Sequence, residues 1–238
     1  MIKAAIMQPT YMPWCGYFGL IKMVDIFVLY DDVQFDKRSW QQRNKIKTAN
    51  GSQWLTVPVE SKGMRSQKIN EAIIQSDSNF SRKHIKAIEL NYSKSKFYHE
   101  YKDLIINCIE SNCSKLVDLN TSLIYICSKI LSIETKFIKS SDLNVSGAKE
   151  ERLIDICKKI SADIYISPQG SKNYLSQGES FLENNIKLEY FEFMHPTYHQ
   201  MYGLFEPQMS IIDVLFNCGA SETRRLLESS SRVEGQAI

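Results

Sequence analysis

Residues 8–18 hold a dense group of aromatic, amide and proline residues directly after a short apolar run. Gln8 offers two donors and two lone pairs, and Tyr11, Trp14 and Tyr17 offer flat faces that stack on a sugar, a base or an acyl chain. The apolar run predicts a buried strand, and the group predicts the turn into a helix. Ligands of open α/β sheets bind at such turns, so we predict these four side chains as substrate-binding. The alternative is that the aromatics only plug the end of the sheet.

Asp31 and Asp32 follow a second apolar run at 26–30. In a parallel sheet, the end of that strand lies beside the first turn. A carboxylate there can accept hydrogen bonds from sugar hydroxyls or act as a general base, whereas turn capping is the alternative. We predict Asp32 and His84 as catalytic, since histidine exchanges protons near neutral pH. His84 is in phase with apolar helical neighbours, so a position at the core edge is its alternative.

The one local group of positive charge lies at residues 37–47. On an extended segment, alternation places Arg43, Lys45 and Lys47 on one face. Such a face suits a pyrophosphate or a carboxylate, which arginine binds through two parallel hydrogen bonds. A charged edge strand that resists aggregation is the alternative. The substrate-binding residues predicted here are Gln34, Lys37, Trp40, Arg43, Asn44 and Lys47.

Further polar candidates lie in the second half of the chain. Ser210, Asp213 and Asn217 form a stripe on an otherwise apolar helix. A helix that is apolar nearly all round is buried, so its polar stripe needs partners or a ligand. We predict that this stripe faces the site, with a solvent-exposed stripe as the alternative. Ser167, at the end of a predicted strand, completes the substrate-binding set.

The composition is that of an ordinary globular protein. The 238 residues include 43% hydrophobic and 24% charged side chains, and the formal net charge of +2 leaves little attraction for nucleic acid. No apolar run reaches the roughly 18 residues that span a bilayer. We therefore expect a cytoplasmic protein without membrane insertion. The six cysteines lack a Cys-x-x-Cys pair, so we expect reduced thiols and no metal site.

Apolar runs and helical stripes alternate along the chain. They predict a single α/β domain over 1–238 whose mainly parallel, Rossmann-like sheet is flanked by helices. Residues 78–132 are predicted to be a helical insertion or cap within it. Segments 41–48 and 53–59 predict an antiparallel ribbon around Asn50-Gly51-Ser52. The predicted strands are 2–7, 26–30, 136–138, 163–167 and 187–193, and the other main helices are 15–24, 147–160, 208–217 and 221–228, before a polar tail.

Four motifs carry a family resemblance. They read Gln8-Pro9-x-Tyr11-x-Pro13-Trp14-x-Gly16-Tyr17-Phe18, Asp32-Val33-Gln34-Phe35-x-Lys37-x-x-Trp40-x-x-Arg43-Asn44-x-Ile46-Lys47, Trp54-Leu55-Thr56-Val57-Pro58-Val59 and Ser210-Ile211-Ile212-Asp213-x-Leu215-Phe216-Asn217-x-Gly219. In these residues the chain resembles the WbqC-like protein family, which is associated with bacterial O-antigen and related surface-glycan gene clusters. The resemblance implies a role in making or decorating an activated sugar, without supplying a reaction. The family commonly has His before Gln-Pro, where this chain has Met7.

A second resemblance concerns the fold. The strand, the Pro9-Thr10 turn, the helix and the next strand, with Ser167-x-x-x-Ser171-x-Asn173-Tyr174-Leu175-Ser176, are similar to pantothenate synthetase and the nucleotidylyltransferase-like class. Those enzymes use a His-x-Gly-His signature for ATP. The corresponding stretch here is Gly16-Tyr17-Phe18, so adenylate chemistry is not implied.

We therefore expect a transferase of surface-polysaccharide (O-antigen type) synthesis that adds an acyl or aminoacyl group to an amino sugar or nucleotide-sugar. Gln8, Asp32 and Arg43 would hold the substrate, and Asp32 or His84 would accept the proton of the attacking amine. The cosubstrate would be an activated acyl donor or ATP. An ATP-using ligase or nucleotidyltransferase and a noncatalytic partner in glycan assembly are the alternatives. The sequence does not specify the oligomeric state.

Overall fold

A computed structural model describes residues 1–171, 175 and 178–235 of the chain. Asn173, Tyr174 and Ser176, which contribute to the second resemblance, lie outside the described residues. In chain order the elements are β1 (Lys3–Met7), α1 (Cys15–Lys22), β2 (Ile26–Leu29), β3 (Arg43–Thr48), β4 (Gly51–Thr56), α2 (Phe80–Tyr92), α3 (Tyr98–Glu110), α4 (Leu116–Ile130), β5 (Lys136–Lys139), α5 (Lys149–Lys159), β6 (Ile164–Pro168), α6 (Glu179–Glu183), β7 (Lys187–Phe193), α7 (Ile211–Ser230) and β8 (Ser231–Gly235).

Six strands form one sheet in the order β5-β2-β1-β6-β7-β8. The first five are parallel, and β8 runs antiparallel to β7. The chain builds the sheet to one side of β1 through β2 and β5, and then to the other side through β6 and β7. Ligands of open sheets bind outside the carboxyl ends of the strands where the order reverses in this way, which is between β1 and β6. The predicted α/β class with a mainly parallel, Rossmann-like sheet is confirmed.

Helices cover both faces of the sheet. Successive residues of a strand point to opposite faces, so neighbours in one strand belong to different cores. In β1, Ala5 belongs to the core that contains residues of α1, α2, α3, α4 and α7. Its neighbours Ala4 and Ile6 belong to the core under α5 and α6. With both faces covered, the central strands are mainly apolar, and β2 is apolar along its whole length. Helices α2, α3 and α4 fall within the predicted insertion at 78–132; the division into one domain with a cap stays a prediction.

The strands β3 and β4 form a separate two-stranded ribbon. Thr48 pairs with Gly51, so the connecting residues are Ala49 and Asn50. The predicted turn at Asn50-Gly51-Ser52 is therefore wrong by one position. Gly51 has a φ of +94°, a conformation that glycine adopts at little cost, and it serves as the first residue of β4.

The end of the chain agrees with the prediction in its two helical segments and differs from it in the last residues. Gly219 has φ 77° and ψ 169°, which breaks α7 between the two helices predicted at 208–217 and 221–228. The predicted polar tail is wrong in part, because residues 231–235 form β8 along the outer edge of β7. Among the described residues, no helix is long and apolar enough to cross a bilayer.

Candidate functional site

A cavity of about 290 Å³ opens at the carboxyl end of β1. Its walls come from three parts of the chain that are distant in sequence. These are β1 with the following turn and α1, the ribbon with the loop before it, and the loop before α7. The lining residues are Met7, Thr10, Trp14, Tyr17, Trp40, Asn44 and Gln208.

Buried amides hold the turn after β1 in place. Asn44 of β3 donates through Nδ2 to the carbonyl oxygens of Tyr11 (3.2 Å) and Met12 (2.6 Å). Asn120 of α4 donates in the same way to the carbonyl oxygen of Pro9 (3.1 Å). Met12 has a φ of 43°, which is uncommon for a residue with a side chain. The surrounding hydrogen bonds therefore fix a backbone conformation that the turn alone would not favour.

Trp14 forms the aromatic wall of the cavity. Its ring packs edge-on against Phe193 and stacks on His195, with ring centres 5.9 Å apart and 14° between planes. Nε2 of His195 accepts a hydrogen bond from the backbone N–H of Gln208 (2.9 Å), so Nδ1 carries the proton and donates to the carbonyl oxygen of Pro196. Burial lowers the pKa of His195. The neutral imidazole thus connects the indole to the loop that carries Gln208.

Tyr17 and Gln8 occupy the side of the turn nearest the sheet. The Tyr17 hydroxyl donates to the carbonyl oxygen of Gln8 (3.1 Å), and the Gln8 side-chain oxygen accepts from Nε2 of Gln41 (2.8 Å). Burial raises the pKa of Tyr17 well above its ordinary value. Tyr17 is therefore a neutral hydrogen-bond donor at physiological pH.

The exposed face of the ribbon begins where the cavity ends. Trp40 lines the cavity and packs against Trp54 of β4, with ring centres 5.2 Å apart. The Arg43 guanidinium lies 4.3 Å from the centre of the Trp54 ring, and the Lys45 ammonium lies 5.1 Å from it. Trp40 thus joins an uncharged cavity to a cationic aromatic surface.

The motif that begins at Ser210 lies behind this site, in a buried network around Asp213. Its carboxylate accepts hydrogen bonds from the hydroxyls of Tyr92 (2.7 Å) and Tyr198 (2.8 Å) and from Nε2 of Gln200 (2.9 Å). Tyr92 in turn accepts from the backbone N–H of Lys47 (2.9 Å). Burial raises the pKa of Asp213, and the three donors oppose that change. The network ties α7 to α2, to the ribbon and to the loop before α7.

The model of the WbqC-like protein family matches residues 8–225. The chain belongs to this family. An uncharacterized protein of Mycobacterium tuberculosis, Rv1507c, is 39% identical over 222 residues, which cover 92% of this chain and 95% of that protein. No solved structure matches the chain.

In this WbqC-like protein, the two aspartates after β2 contact the segment after β5. Asp32 forms an ion pair with Arg152 and accepts a hydrogen bond from the Ser140 hydroxyl (2.6 Å). Asp31 accepts from Ser140 (3.1 Å) and from the hydroxyl of Ser141 (2.8 Å). Both carboxylates therefore have internal partners that stabilise their charges. The catalytic role of Asp32 stays a prediction, and it would require Arg152 to release the carboxylate.

His84 lies in the core of this WbqC-like chain. It shares a 2.8 Å hydrogen bond with the Tyr11 hydroxyl through Nδ1, packs against Phe80 and bonds to the backbone of Thr56. Burial lowers its pKa to about 4. Tyr11 is itself fully buried. The structure thus gives both residues a role in joining the first turn to α2, and the catalytic and stacking roles predicted for them stay predictions.

Three more predicted residues have internal partners. Lys47 is buried and donates to the carboxylate of Glu206 (2.7 Å), although strand alternation predicted it on the exposed face. The Ser210 hydroxyl caps the start of α7, and Asn217 donates to the backbone oxygen of Asp213 (2.8 Å). The loop that covers this end of the ribbon is the reason that Lys47 is buried.

The remaining predicted residues lie around the carboxyl edge of the sheet. Gln34 is exposed and donates to the backbone oxygen of Arg65 (2.9 Å), and Lys37 is exposed. Ser167 is buried at the end of β6, 2.6 Å from the hydroxyl of Ser171. The structure therefore brings Trp14, Tyr17, Trp40 and Asn44 together in the cavity wall and places the other predicted side chains around or behind it.

Four residues at the site were missing from the prediction. Met7, Thr10 and Gln208 line the cavity, and Trp54 supports the cations of the ribbon. Trp54 had a signal, because an exposed aromatic opposite Lys45 in an antiparallel ribbon is a cross-strand partner. Nothing in the sequence pointed to Gln208, since it is an ordinary polar residue in a loop. Met7 gives this part of the wall a thioether.

Proposed function

We propose that this protein is a transferase of bacterial surface-polysaccharide synthesis that binds an amino sugar, free or nucleotide-linked, in the cavity at the end of β1 and adds an acyl or aminoacyl group to it. The observation that carries the proposal is the wall of that cavity. Indole and phenol rings lie beside amide and hydroxyl groups, at the edge of the sheet where ligands of this architecture bind.

The wall suits the two sides of a sugar ring. Trp14 and Trp40 offer flat apolar faces to its C–H groups, and Thr10 and Gln208 offer donors and acceptors to its hydroxyls. A cavity of about 290 Å³ is just below the range for ligand pockets, which is about 300–1,000 Å³. It fits one monosaccharide, so any larger group attached to the sugar would extend outside.

The transfer step needs few groups from the protein if the donor is a thioester. The sugar amine forms a C–N bond to the acyl carbon, the C–S bond breaks, and the amine proton ends on the leaving thiolate. Among the seven described residues of the wall, Tyr17 is the one titratable group, and burial raises its pKa. The contribution of the cavity would therefore be to orient the amine toward the donor.

The test is to incubate the protein with a panel of nucleotide amino sugars and coenzyme A thioesters and to measure product masses. We expect one sugar to gain the mass of the acyl group. Trp40→Ala should lower kcat/KM by about fivefold or more, because removal of a stacking ring costs about 1–3 kcal/mol. Tyr125→Ala is the matched control, since Tyr125 is 42% exposed and Trp40 is 41% exposed. A panel without any product would contradict the proposal.

Noncatalytic sugar binding is the second candidate, and the uncharged wall favours it. In that case Trp40→Ala would weaken sugar binding in calorimetry while no donor gives a product. An ATP-using ligase is favoured by the strand order alone. A rise in melting temperature with ATP, and none with nucleotide-sugars, would support the ligase, because a ligand stabilises the protein that binds it.

A further inference from the structure

The exposed face of the ribbon carries two cations fixed against one aromatic ring. Arg43 and Lys45 are two positions apart on β3, so their side chains share a face about 7 Å apart. Lys45 pairs directly with Trp54 across the ribbon. The Arg43 guanidinium lies over the same indole at 4.3 Å. An arginine stacked in this way loses little conformational freedom when its edge binds an anion.

The charge of Arg43 has no acidic partner within the described part of the chain. Arg43 takes part in none of the ion pairs there, and its Nε is buried without a hydrogen-bond partner. Lys45 is partly balanced by Glu206, whose pKa it helps to lower. A buried charged donor without an acceptor is costly. Because Arg43 is only partly buried, an oxyanion that binds the accessible part of the guanidinium would balance this charge.

The exposed face of the ribbon lies next to the cavity. Trp40 touches both, because it lines the cavity and packs on Trp54. Asn44, between the two cations in sequence, points to the other side of β3 and lines the cavity. A group bound in the cavity and a second group bound at Arg43 would thus lie on either side of Trp40. The cavity is too small to hold both groups.

We infer that the ribbon face binds the diphosphate of a sugar donor or acceptor, with Arg43 as the main ligand and Lys45 beside it. This inference rests on the proposed function for the sugar in the cavity and extends it, because it selects diphosphate-linked sugars over free ones. Two cations on one face match a group with two negative charges better than a single carboxylate. The shared chemistry is a diphosphate ester, whether the linked group is a nucleoside or a lipid.

The test uses inorganic pyrophosphate, a uridine diphosphate amino sugar, the free amino sugar and acetate as calorimetric probes. We expect pyrophosphate and the diphosphate sugar to bind and acetate to bind at least about tenfold more weakly. Arg43→Gln should weaken both diphosphate probes by about tenfold or more and leave the free sugar unchanged. Arg43→Lys should have an intermediate effect. Lys96→Gln is the control, because Lys96 also lies over an aromatic ring, that of Phe97, at 5.1 Å.

Each outcome bears on the inference separately from the proposed function. Pyrophosphate binding that Arg43→Gln abolishes supports the inference even if no sugar binds. Sugar binding without pyrophosphate binding overturns it and leaves the proposed function in place. Equal losses with Arg43→Gln and Lys96→Gln also overturn it, since they reflect net charge alone. Because Arg43→Lys keeps the positive charge and loses only the planar guanidinium, it keeps the test valid if Arg43→Gln lowers stability. A lipid diphosphate added in micelles distinguishes the lipid from the nucleoside source.

Discussion

The indole of Trp14 packs directly on the backbone of Gly16. A Cβ atom built on Gly16 would come closer than 3.0 Å to three atoms of that ring, which real Cβ atoms essentially never do. Gly16 is also buried in the first turn of α1. The Trp14 ring can take its position in the cavity wall because residue 16 is a glycine and has no side chain.

We expect Gly16→Ala to displace the Trp14 ring. Overpacking in a tight site costs about 1–3 kcal/mol, and the cavity should lose its aromatic wall. Urea unfolding would measure the loss of stability, and sugar binding should weaken in calorimetry. Gly170→Ala is the control, because a Cβ there would meet no atom within 4 Å. Unchanged stability and binding in Gly16→Ala would show that the ring can move freely.

Asp213→Asn should destabilise the fold. The carboxylate accepts three hydrogen bonds, whereas a carboxamide offers one oxygen and an NH₂ that faces other donors. We expect a loss of about 2 kcal/mol or more in urea unfolding. Asp103→Asn, at an aspartate whose side chain is 76% exposed, should stay within about 0.5 kcal/mol of the native chain. Similar small losses in both variants would refute the central role of the network.

His84 should make stability depend on pH. Burial lowers its pKa from 6.5 to about 4 in the folded chain, so the unfolded chain binds the proton more tightly. The free energy of unfolding should be highest above about pH 6.5 and should fall as the pH decreases toward 4, by on the order of 3 kcal/mol in total. His84→Asn should remove the pH dependence of stability that His84 causes. The smaller dependence caused by His195, whose pKa is also lowered, should remain. Parallel pH profiles for the two proteins would contradict this prediction.

The ion pair between Lys47 and Glu206 should contribute more to the stability of the fold than an ion pair on the surface does. The Lys47 side chain is 4% exposed and that of Glu206 is 32% exposed. Glu206→Gln leaves a buried ammonium with the Leu204 carbonyl oxygen as a remaining acceptor, and we expect a loss of about 1–3 kcal/mol, reduced by solvent at the glutamate. Glu222→Gln breaks the exposed pair with Arg225 and should lower stability much less than Glu206→Gln, because solvent screens an exposed pair. Equal losses would show that burial of Lys47 is unimportant.

The parallel strands were predictable because they are buried on both faces and appear as apolar runs, as at Ile26–Leu29. The strand β8 was not predictable, because Val233 is its one apolar side chain and its sequence has no apolar run. Alternation on β3 placed Arg43, Lys45 and Lys47 on one face, but it could not show that the loop carrying Glu206 covers the last of them.

The same limit applies to the site. The sequence identified the turn with Trp14 and Tyr17, because aromatic and amide residues crowd there beyond the needs of a connection. It could not separate side chains that line the cavity from those that support it, such as Asp213, since both are polar residues in apolar surroundings. Arg152, the partner of Asp32, is 120 residues away in sequence and had no local signal.

The strand β8 has a practical consequence for work with this protein. It occupies the outer edge of β7, which would otherwise present unpaired backbone groups to other molecules. A shortened version that stops at residue 230 would move the open edge of the sheet from the largely polar β8 to the more apolar β7, which would favour intermolecular pairing. Purification tags are therefore better attached at the amino terminus, where Met1 is exposed, so that nothing competes with the final strand for its place.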